Sequence, residues 1–318
     1  MNTPVIRRLL VSALGLGLVA VSSSSYADGP ADADRSTHVG RAAVYRNLQA
    51  SSLEAVSSTE VIQSMFDRNG RPVVAPTRIW KVLEHGEKVE CLSCIPLVSG
   101  LLYDAQPKTR EIAAWWLRRR IFGVFGPGQV YSRVVDTLGD QTQSEQMRSR
   151  AANALGEFLS VAGAKHLSRA IREDQSVAVR EAAVKALQRM NHQGIEGALS
   201  TAMADEAEPV RLAAVHAATR VHSFRDVAAL SERIGDSSAA VRREAAAALG
   251  TMRVKDAIDG LIALASPEHE SDPAVRLSAV WSLGQLGDPS AAEVVQAALS
   301  DPDRFVRDAA RAAGRRLY

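Results

Sequence analysis

The sequence predicts an all-α protein built from stacked pairs of antiparallel helices, and two observations support this prediction. A Val-Arg dipeptide recurs at nearly constant spacing, and an apolar stripe with helical period surrounds each copy. The five copies are Val179-Arg180, Val210-Arg211, Val241-Arg242, Val275-Arg276 and Val306-Arg307. Successive copies are separated by 31, 31, 34 and 31 residues. A period of this length is typical of architectures in which each repeat is one supersecondary unit.

Two earlier segments extend the pattern to seven units. Met147-Arg148 and Thr109-Arg110 lie 32 and 38 residues before the next copy. An alanine follows each of the seven arginines by three residues, at Ala113, Ala151, Ala183, Ala214, Ala245, Ala279 and Ala310. This shared alanine indicates that all seven segments belong to one repeat.

Each unit is predicted to contain two helices within about 31 residues. Counting the arginine as position 0, positions −1, +3, +4, +6 and +7 are mostly Val, Ala and Leu, as in "AVREAAVKAL". At about 100° per residue these positions fall on one stripe of a helix. A looser apolar stripe precedes each one, for example "DAIDGLIALA", and predicts the first helix of the pair.

An aspartate precedes several of the arginines by six residues, where the second helix is expected to begin. A carboxylate at a helix start accepts hydrogen bonds from free N–H groups and complements the helix dipole. The arginine lies at the edge of the buried stripe, so it is expected to pair with the aspartate of its own or the adjacent repeat. This predicted structural ladder consists of Asp104, Arg110, Asp174, Arg180, Asp205, Arg211, Asp236, Arg242, Asp301 and Arg307.

The complete motif, Asp-x5-Val-Arg-x2-Ala-x2-Ala-Leu-Gly, runs from Asp236 to Gly250, with related versions over roughly residues 91–318. It resembles HEAT repeats of the short bacterial, phycobilisome-lyase-like type. The resemblance implies a right-handed α-solenoid of about seven hairpins that works as a protein-interaction scaffold. It does not imply lyase activity, because one fold carries many functions.

The first 27 residues have the pattern of a secretory signal peptide. Arg7 and Arg8 are followed by an apolar run from Leu9 to Val21, and Ser25-Tyr26-Ala27 fits a cleavage site. We therefore expect an exported protein, periplasmic or secreted. Residues 28–90 are expected to form an N-terminal helical cap with a disordered start, since the first repeat would otherwise expose its apolar face.

The charge balance argues against a nucleic-acid-binding protein. Removing the predicted signal peptide takes away two of the 38 basic residues and leaves 36 against 36 acidic ones. A chain without net positive charge lacks the electrostatic footprint of a nucleic-acid binder. No other apolar run approaches the length of a membrane span, so none is expected in the mature protein.

Both cysteines lie in "KVECLSCIPLV", three residues apart. Residue 95 is isoleucine, whereas haem attachment requires histidine after the second cysteine. A local disulfide between Cys91 and Cys94 is the favoured interpretation, because exported thiols tend to pair. A redox-active dithiol at the start of a helix remains an alternative.

A metal site is a further alternative for this segment. Zinc sites usually require about four ligands. The neighbourhood offers Glu84, His85, Glu87 and Glu90 beside the two cysteines. We expect no metal and no cofactor, since an oxidising compartment works against free thiolate ligands.

The predicted partner-binding face lies on the second helices, at positions +5 and +9, which point away from the buried stripe. Tryptophan and arginine are enriched at binding hot spots. The candidates are Trp115, Arg119, Lys185, Arg189, His216, Arg220, Trp281 and Arg316. In solenoids of the resembled type, second helices usually line the concave surface. The arginines favour an acidic protein or peptide partner.

No catalytic arrangement emerges from the sequence. It contains no Gly-x-Ser-x-Gly elbow, phosphate-binding loop or His-Glu-x-x-His motif, and its histidines are scattered singly. We therefore expect a non-enzymatic scaffold. The alternative hypothesis is a periplasmic thiol-redox accessory protein that uses Cys91 and Cys94.

Overall fold

The computed structural model describes residues 64–65, 67–68, 72–88, 94–121 and 128–317, with side chains described except at 85–88 and 119–121. These residues lie within one compact unit, residues 54–318. The predicted signal peptide and the predicted disordered start of the cap lie outside them.

Over these ranges the chain forms fifteen α-helices and no β-strand. They are α1 Pro76–Lys88, α2 Ile95–Gly100, α3 Pro107–Ile121, α4 Gln129–Gly139, α5 Glu145–Phe158, α6 Val161–Glu173, α7 Val177–Met190, α8 Glu196–Met203, α9 Glu208–Ala218, α10 Val227–Ser231, α11 Ala239–Thr251, α12 Ile258–Ala265, α13 Pro273–Leu286, α14 Ala292–Ala297 and α15 Arg304–Leu317. Short 3-10 turns extend some of the first helices, at Leu101–Tyr103, Glu232–Gly235, Lys255–Ala257, Pro289–Ala291 and Ala298–Ser300.

Helices α2 to α15 form seven successive hairpins. The even-numbered helices are the first helices of the hairpins and the odd-numbered ones are the second helices. Each second helix packs against the second helix of the next hairpin, and α1 packs against α3. The prediction of an all-α solenoid is therefore confirmed.

The core follows the sequence pattern. In α11, Val241, Ala245 and Leu249 occupy positions −1, +3 and +7, and all three are fully buried. Spacings of three and four residues keep such side chains on one face of a helix. Burying a leucine or valine side chain contributes about 1.5–3 kcal/mol. The repeated stripe thus supplies one continuous core along the stacked hairpins.

Glycines at position +8 bring three pairs of second helices close together. A Cβ on Gly156 would lie 2.8 Å from Ala186 Cα, and a Cβ on Gly284 would lie 2.7 Å from Ala313 Cα. At Gly250 the facing residue is Ser282, whose hydroxyl donates 2.8 Å to the carbonyl oxygen of Ala246. A larger residue at these positions would force neighbouring backbones apart.

The acids of the repeat lie before the second helix rather than at its first residue. Asp174 caps the C-terminus of α6, and α7 begins at Val177 with Ser176 as its N-cap. The Asp174 carboxylate accepts from the Ser176 N–H at 2.8 Å. The carboxylate therefore organises the loop between the two helices and remains directed at the neighbouring repeat.

Candidate functional site

Trp281 is the most exposed of the four tryptophans. Its side chain is 40% exposed on α13, whereas Trp116 is buried and Trp80 and Trp115 are half-buried. The equivalent position of the two adjacent second helices is alanine, at Ala247 in α11 and Ala312 in α15. These small neighbours leave part of Trp281 exposed on the face of the second helices.

Trp115 has a different environment although it occupies the same position in its repeat. It stacks on Trp80 of α1, with ring centroids 4.8 Å apart and planes inclined by 23°. The helix before the first repeat therefore covers this tryptophan. Its main contact is structural.

Three of the predicted binding residues hold partners within the chain. Lys185 Nζ lies 2.5 Å from Glu181 on the same helix, and His216 Nδ1 lies 3.0 Å from Glu244 on the next second helix. Arg189 donates 2.7 Å to the side-chain oxygen of Asn153 and lies 3.2 Å from Glu157 on the preceding second helix. The contacts of His216 and Arg189 link neighbouring repeats across the exposed face, whereas that of Lys185 stays within α7.

Arg316 lies on α15, whereas Arg220 lies in the turn after α9, which ends at Ala218, and not on a second helix as predicted. Both arginines are exposed, and no described residue forms an ion pair with either. The side chain of Arg119 lies outside the described residues. Among the described candidates for partner binding, the side chains that form none of these contacts within the chain are therefore Trp281, Arg220 and Arg316.

A ladder of arginine–carboxylate pairs runs along the loops between first and second helices. In five consecutive pairs Nε lies 2.6 to 2.8 Å from one carboxylate oxygen, and Nη2 lies 2.8 to 3.0 Å from the other. The pairs are Arg148–Asp174, Arg180–Asp205, Arg211–Asp236, Arg242–Glu270 and Arg276–Asp301. The acid belongs in every case to the following repeat.

The same guanidinium also binds its own repeat. Arg211 Nη1 donates to the carbonyl oxygens of Asp205 and Glu206 at 3.0 and 2.8 Å. Arg110, Arg180, Arg242, Arg276 and Arg307 repeat this pair of carbonyl contacts. Each ladder arginine therefore fixes its own loop, and five of them also connect that loop to the next repeat.

Sequence reasoning missed Arg148, Glu270 and Arg276 as members of the ladder. Both arginines are in the repeat frame, which was the available signal. Glu270 occupies the position six residues before Arg276, where other repeats have aspartate. A prediction restricted to aspartate therefore omits Glu270, although glutamate carries the same carboxylate on a side chain one methylene longer.

Four of the five ladder carboxylates are held in their charged form. Burial raises the pKa of Asp174, Asp236, Glu270 and Asp301. The hydrogen bonds from the paired arginine and one backbone N–H outweigh it, so each pKa lies below its ordinary value. Because the ionised form is favoured, the pairs are ionic at neutral pH.

Cys94 is fully buried at the start of α2, whereas Cys91 lies outside the described residues. The predicted disulfide therefore stays a prediction. A buried sulfur is poorly accessible to an external thiolate, and thiol exchange requires access. Its position gives no support to the redox alternative.

Neither a metal centre nor a membrane span is found among the described residues. They contain no group of three or more His, Cys, Asp or Glu side chains placed to hold a metal ion. In the same ranges, no helix has the length and apolar character needed to cross a bilayer.

Comparison with known proteins identifies the repeat. Residues 164–240 and 227–314 match the family model described as HEAT repeats. No curated protein sequence matches the chain. One similar solved structure is that of Kap95p with RanGDP, at 15% identity and a TM-score of 0.59. Another is that of yeast importin-beta (Kap95p), at 15% identity and a TM-score of 0.56. In both cases the match covers 91% of this chain and 44% of the other chain.

A complex of CpcE and CpcF of phycocyanin lyase from a Nostoc species is also similar, at 18% identity with 70% of this chain and 94% of that chain covered. Its TM-score is 0.37. At these identities the importin-beta structures establish the fold alone. The described chain is thus an α-solenoid, and residues 164–314 of it are HEAT repeats.

Proposed function

We propose that this chain is an exported, non-enzymatic scaffold that binds a protein or peptide through the concave face formed by its second helices. The observation that carries the proposal is the exposure of Trp281 between two alanines. The exposed part of this side chain is apolar surface that a partner can bury, and tryptophan is among the residues that dominate binding energy when a partner covers them.

Two arginines at the C-terminal ends of second helices support a partner with acidic groups. Arg220 and Arg316 are exposed and carry no ion pair with a described residue. Arginine binds carboxylates through two parallel hydrogen bonds, which gives geometric specificity as well as attraction.

The similar solenoids support binding of a protein rather than a small molecule. Kap95p, one of the solenoids with a similar fold, binds RanGDP. Repeat solenoids present extended surfaces that suit a protein or a peptide. Export is proposed from the pattern of residues 1–27, so the partner is sought in the cell envelope or outside the cell.

The test begins with the full-length protein expressed in its native envelope. Crosslinking identifies the bound protein, and its affinity is then measured with purified components. We expect Trp281→Ala and Arg220→Ala each to weaken binding by at least about tenfold, which corresponds to about 1.4 kcal/mol. Helical content should remain unchanged.

Val161→Ala is the matched control, because Val161 is 54% exposed on a first helix, α6. Its binding should equal that of the unmodified protein. The second helices would not form the binding face if Trp281→Ala and Arg220→Ala both left the affinity unchanged. The same would follow if Val161→Ala weakened binding equally.

A further inference from the structure

The arginine–carboxylate ladder has an open position at its first repeat. Arg110 Nη1 donates to the carbonyl oxygens of Asp104 and Ala105 at 2.7 and 2.9 Å, as the other ladder arginines do in their own repeats. Its guanidinium is therefore held in the ladder orientation. No carboxylate from any described residue pairs with it, whereas the next five ladder arginines each bind one.

A longer loop in the second repeat explains the missing carboxylate. The loop between α4 and α5 is residues 140–144, Asp-Gln-Thr-Gln-Ser, whereas the loop between α6 and α7 is residues 174–176, Asp-Gln-Ser. Asp140 caps α4 as Asp174 caps α6. With two extra residues, the carboxylate of Asp140 instead accepts from Thr142 N–H at 2.9 Å, Thr142 Oγ1 at 2.7 Å and Gln143 Nε2 at 3.2 Å.

A second arginine adds positive charge at this position. Arg150 Nη1 donates 2.6 Å to the carbonyl oxygen of Tyr103. Burial lowers the pKa of Arg110, the charge of Arg150 lowers it further, and the charge of Asp104 raises it by less than these two lower it. In the five ladder arginines that bind a carboxylate, the pKa is raised instead, led by the hydrogen bond to the acid.

A cavity of about 230 Å³ lies between the two arginines and the second-helix face. Its lining includes Arg110, Arg150 and Arg189. The two acids in the lining are already engaged, since Glu111 lies 2.8 Å from Lys108 Nζ and Glu157 lies 3.2 Å from Arg189 Nε. Among the lining residues, the charges without an ion pair to a described residue are those of Arg110 and Arg150, in a space of the size of a side chain.

We propose that this cavity, with Arg110 and Arg150, recognises an aspartate or glutamate side chain on a turn of the partner protein, which completes the missing position of the ladder. The inference rests on the proposed function only in taking the partner to be a protein. A turn is the expected context, because each of the five bound acids also accepts a backbone N–H two residues later in its own loop.

The chain itself supplies a probe. Residues 235–241, Gly-Asp-Ser-Ser-Ala-Ala-Val, carry the aspartate that binds Arg211. The acetylated and amidated peptide is added to the full chain labelled at arginine Nε, and the Arg110 resonance is followed by NMR. We expect a saturable shift with the aspartate peptide, and at least about tenfold weaker binding with asparagine in its place. Arg110→Lys should weaken binding of the aspartate peptide by a similar factor, because a lysine cannot form the paired hydrogen bonds.

A deletion provides the second arm. Removing Thr142 and Gln143 converts the loop to Asp-Gln-Ser, identical to residues 174–176, and places Asp140 six residues before the arginine of its repeat. We expect this variant to lose peptide binding and to melt at a higher temperature. Asp140→Asn in the deletion background should reopen the position and restore binding.

Several outcomes would overturn the proposal. The first is equal binding of the aspartate and asparagine peptides. The second is the absence of a shift in the Arg110 resonance with either peptide. The third is undiminished peptide binding by a folded deletion variant. A shift with inorganic phosphate alone would replace the carboxylate by a phosphate ligand. Because the probe needs no natural partner, its failure is distinguishable from failure of the Trp281 experiment. If the deletion variant does not fold, the comparison of peptide binding by the unmodified protein and by Arg110→Lys still tests the proposal.

Discussion

Single buried arginines connect neighbouring repeats. Arg211 and Asp236 are both buried, and an ion removed from water is destabilising unless hydrogen bonds replace its hydration. Here the guanidinium makes two bonds to Asp236 and two to carbonyl oxygens of its own loop. All of these bonds depend on one side chain, so its loss affects both repeats.

We predict that Arg211→Met lowers the free energy of unfolding by about 3–5 kcal/mol, because Asp236 is then left charged, buried and without its partner. Urea denaturation followed by circular dichroism provides the measurement. Arg243→Met is the control, since Arg243 is exposed on α11, and it should change stability by less than about 0.5 kcal/mol. Equal effects of the two substitutions would contradict the structural role of the ladder.

The ladder also predicts how stability depends on pH. The pKa values of Asp174, Asp236, Glu270 and Asp301 are lower in the folded protein than their ordinary values. The unfolded chain therefore binds protons more readily, and folding is favoured while these groups are ionised. Their contribution is complete at neutral pH and should be lost progressively as the pH falls below about 5.

Unfolding experiments between neutral pH and pH 3 check this expectation. Asp301→Asn, which removes one of the titrating groups, should flatten the decline relative to the unmodified protein. A profile that is flat down to pH 3, or an unchanged slope in the variant, would contradict the expectation.

At the scale of elements, the distance between second helices depends on the size of a few residues. Gly250 in α11 faces Ser282 in α13, and an added Cβ would lie 2.7 Å from the Ser282 Cα. The Ser282 hydroxyl bonds across to Ala246 of α11. A separation between α11 and α13 would break this bond as well as the packing.

We predict that Gly250→Ala destabilises the protein by about 1–3 kcal/mol, because overpacking outweighs the higher helix propensity of alanine. Thermal and urea unfolding provide the measurement. Gly314→Ala in α15 is the matched control, because no atom lies within 4 Å of its added Cβ. That variant should be neutral or more stable, and destabilisation by both would point to a cause other than helix contact.

The whole molecule is stabilised mainly by contacts between neighbouring hairpins, as in other solenoids. The last helix therefore has no hairpin after it within the described chain to cover its outer side. That side of α15 carries exposed polar residues: Arg304, Asp308, Arg311 and Arg315.

Truncation after Gly287 removes α14 and α15, and with them the partner of Arg276 and the neighbour of Gly284. We predict a folded but less stable remainder, with a smaller urea m-value because less surface is buried, and with increased binding of a hydrophobic dye. Complete unfolding of the remainder, or an unchanged m-value, would contradict the view that each hairpin is stabilised mainly by its immediate neighbours.

The sequence by itself determined the fold class, the number of hairpins and the buried stripe of each second helix. These properties are local, since the 3.6-residue period places Val241, Ala245 and Leu249 on one side of a helix whatever its neighbours are. The repeat spacing then reported how many times the unit occurs.

Only the tertiary structure decided which contacts cross between repeats. It paired Arg180 with the carboxylate of Asp205 in the following repeat, while Asp174 of its own repeat accepts from Arg180 only through its carbonyl oxygen. It also placed Trp115 against Trp80 while leaving Trp281 exposed. It also left Arg110 without a carboxylate because two extra residues redirect Asp140. Such contacts depend on how hairpins stack and how loops close, and the period of a single helix contains no information about either.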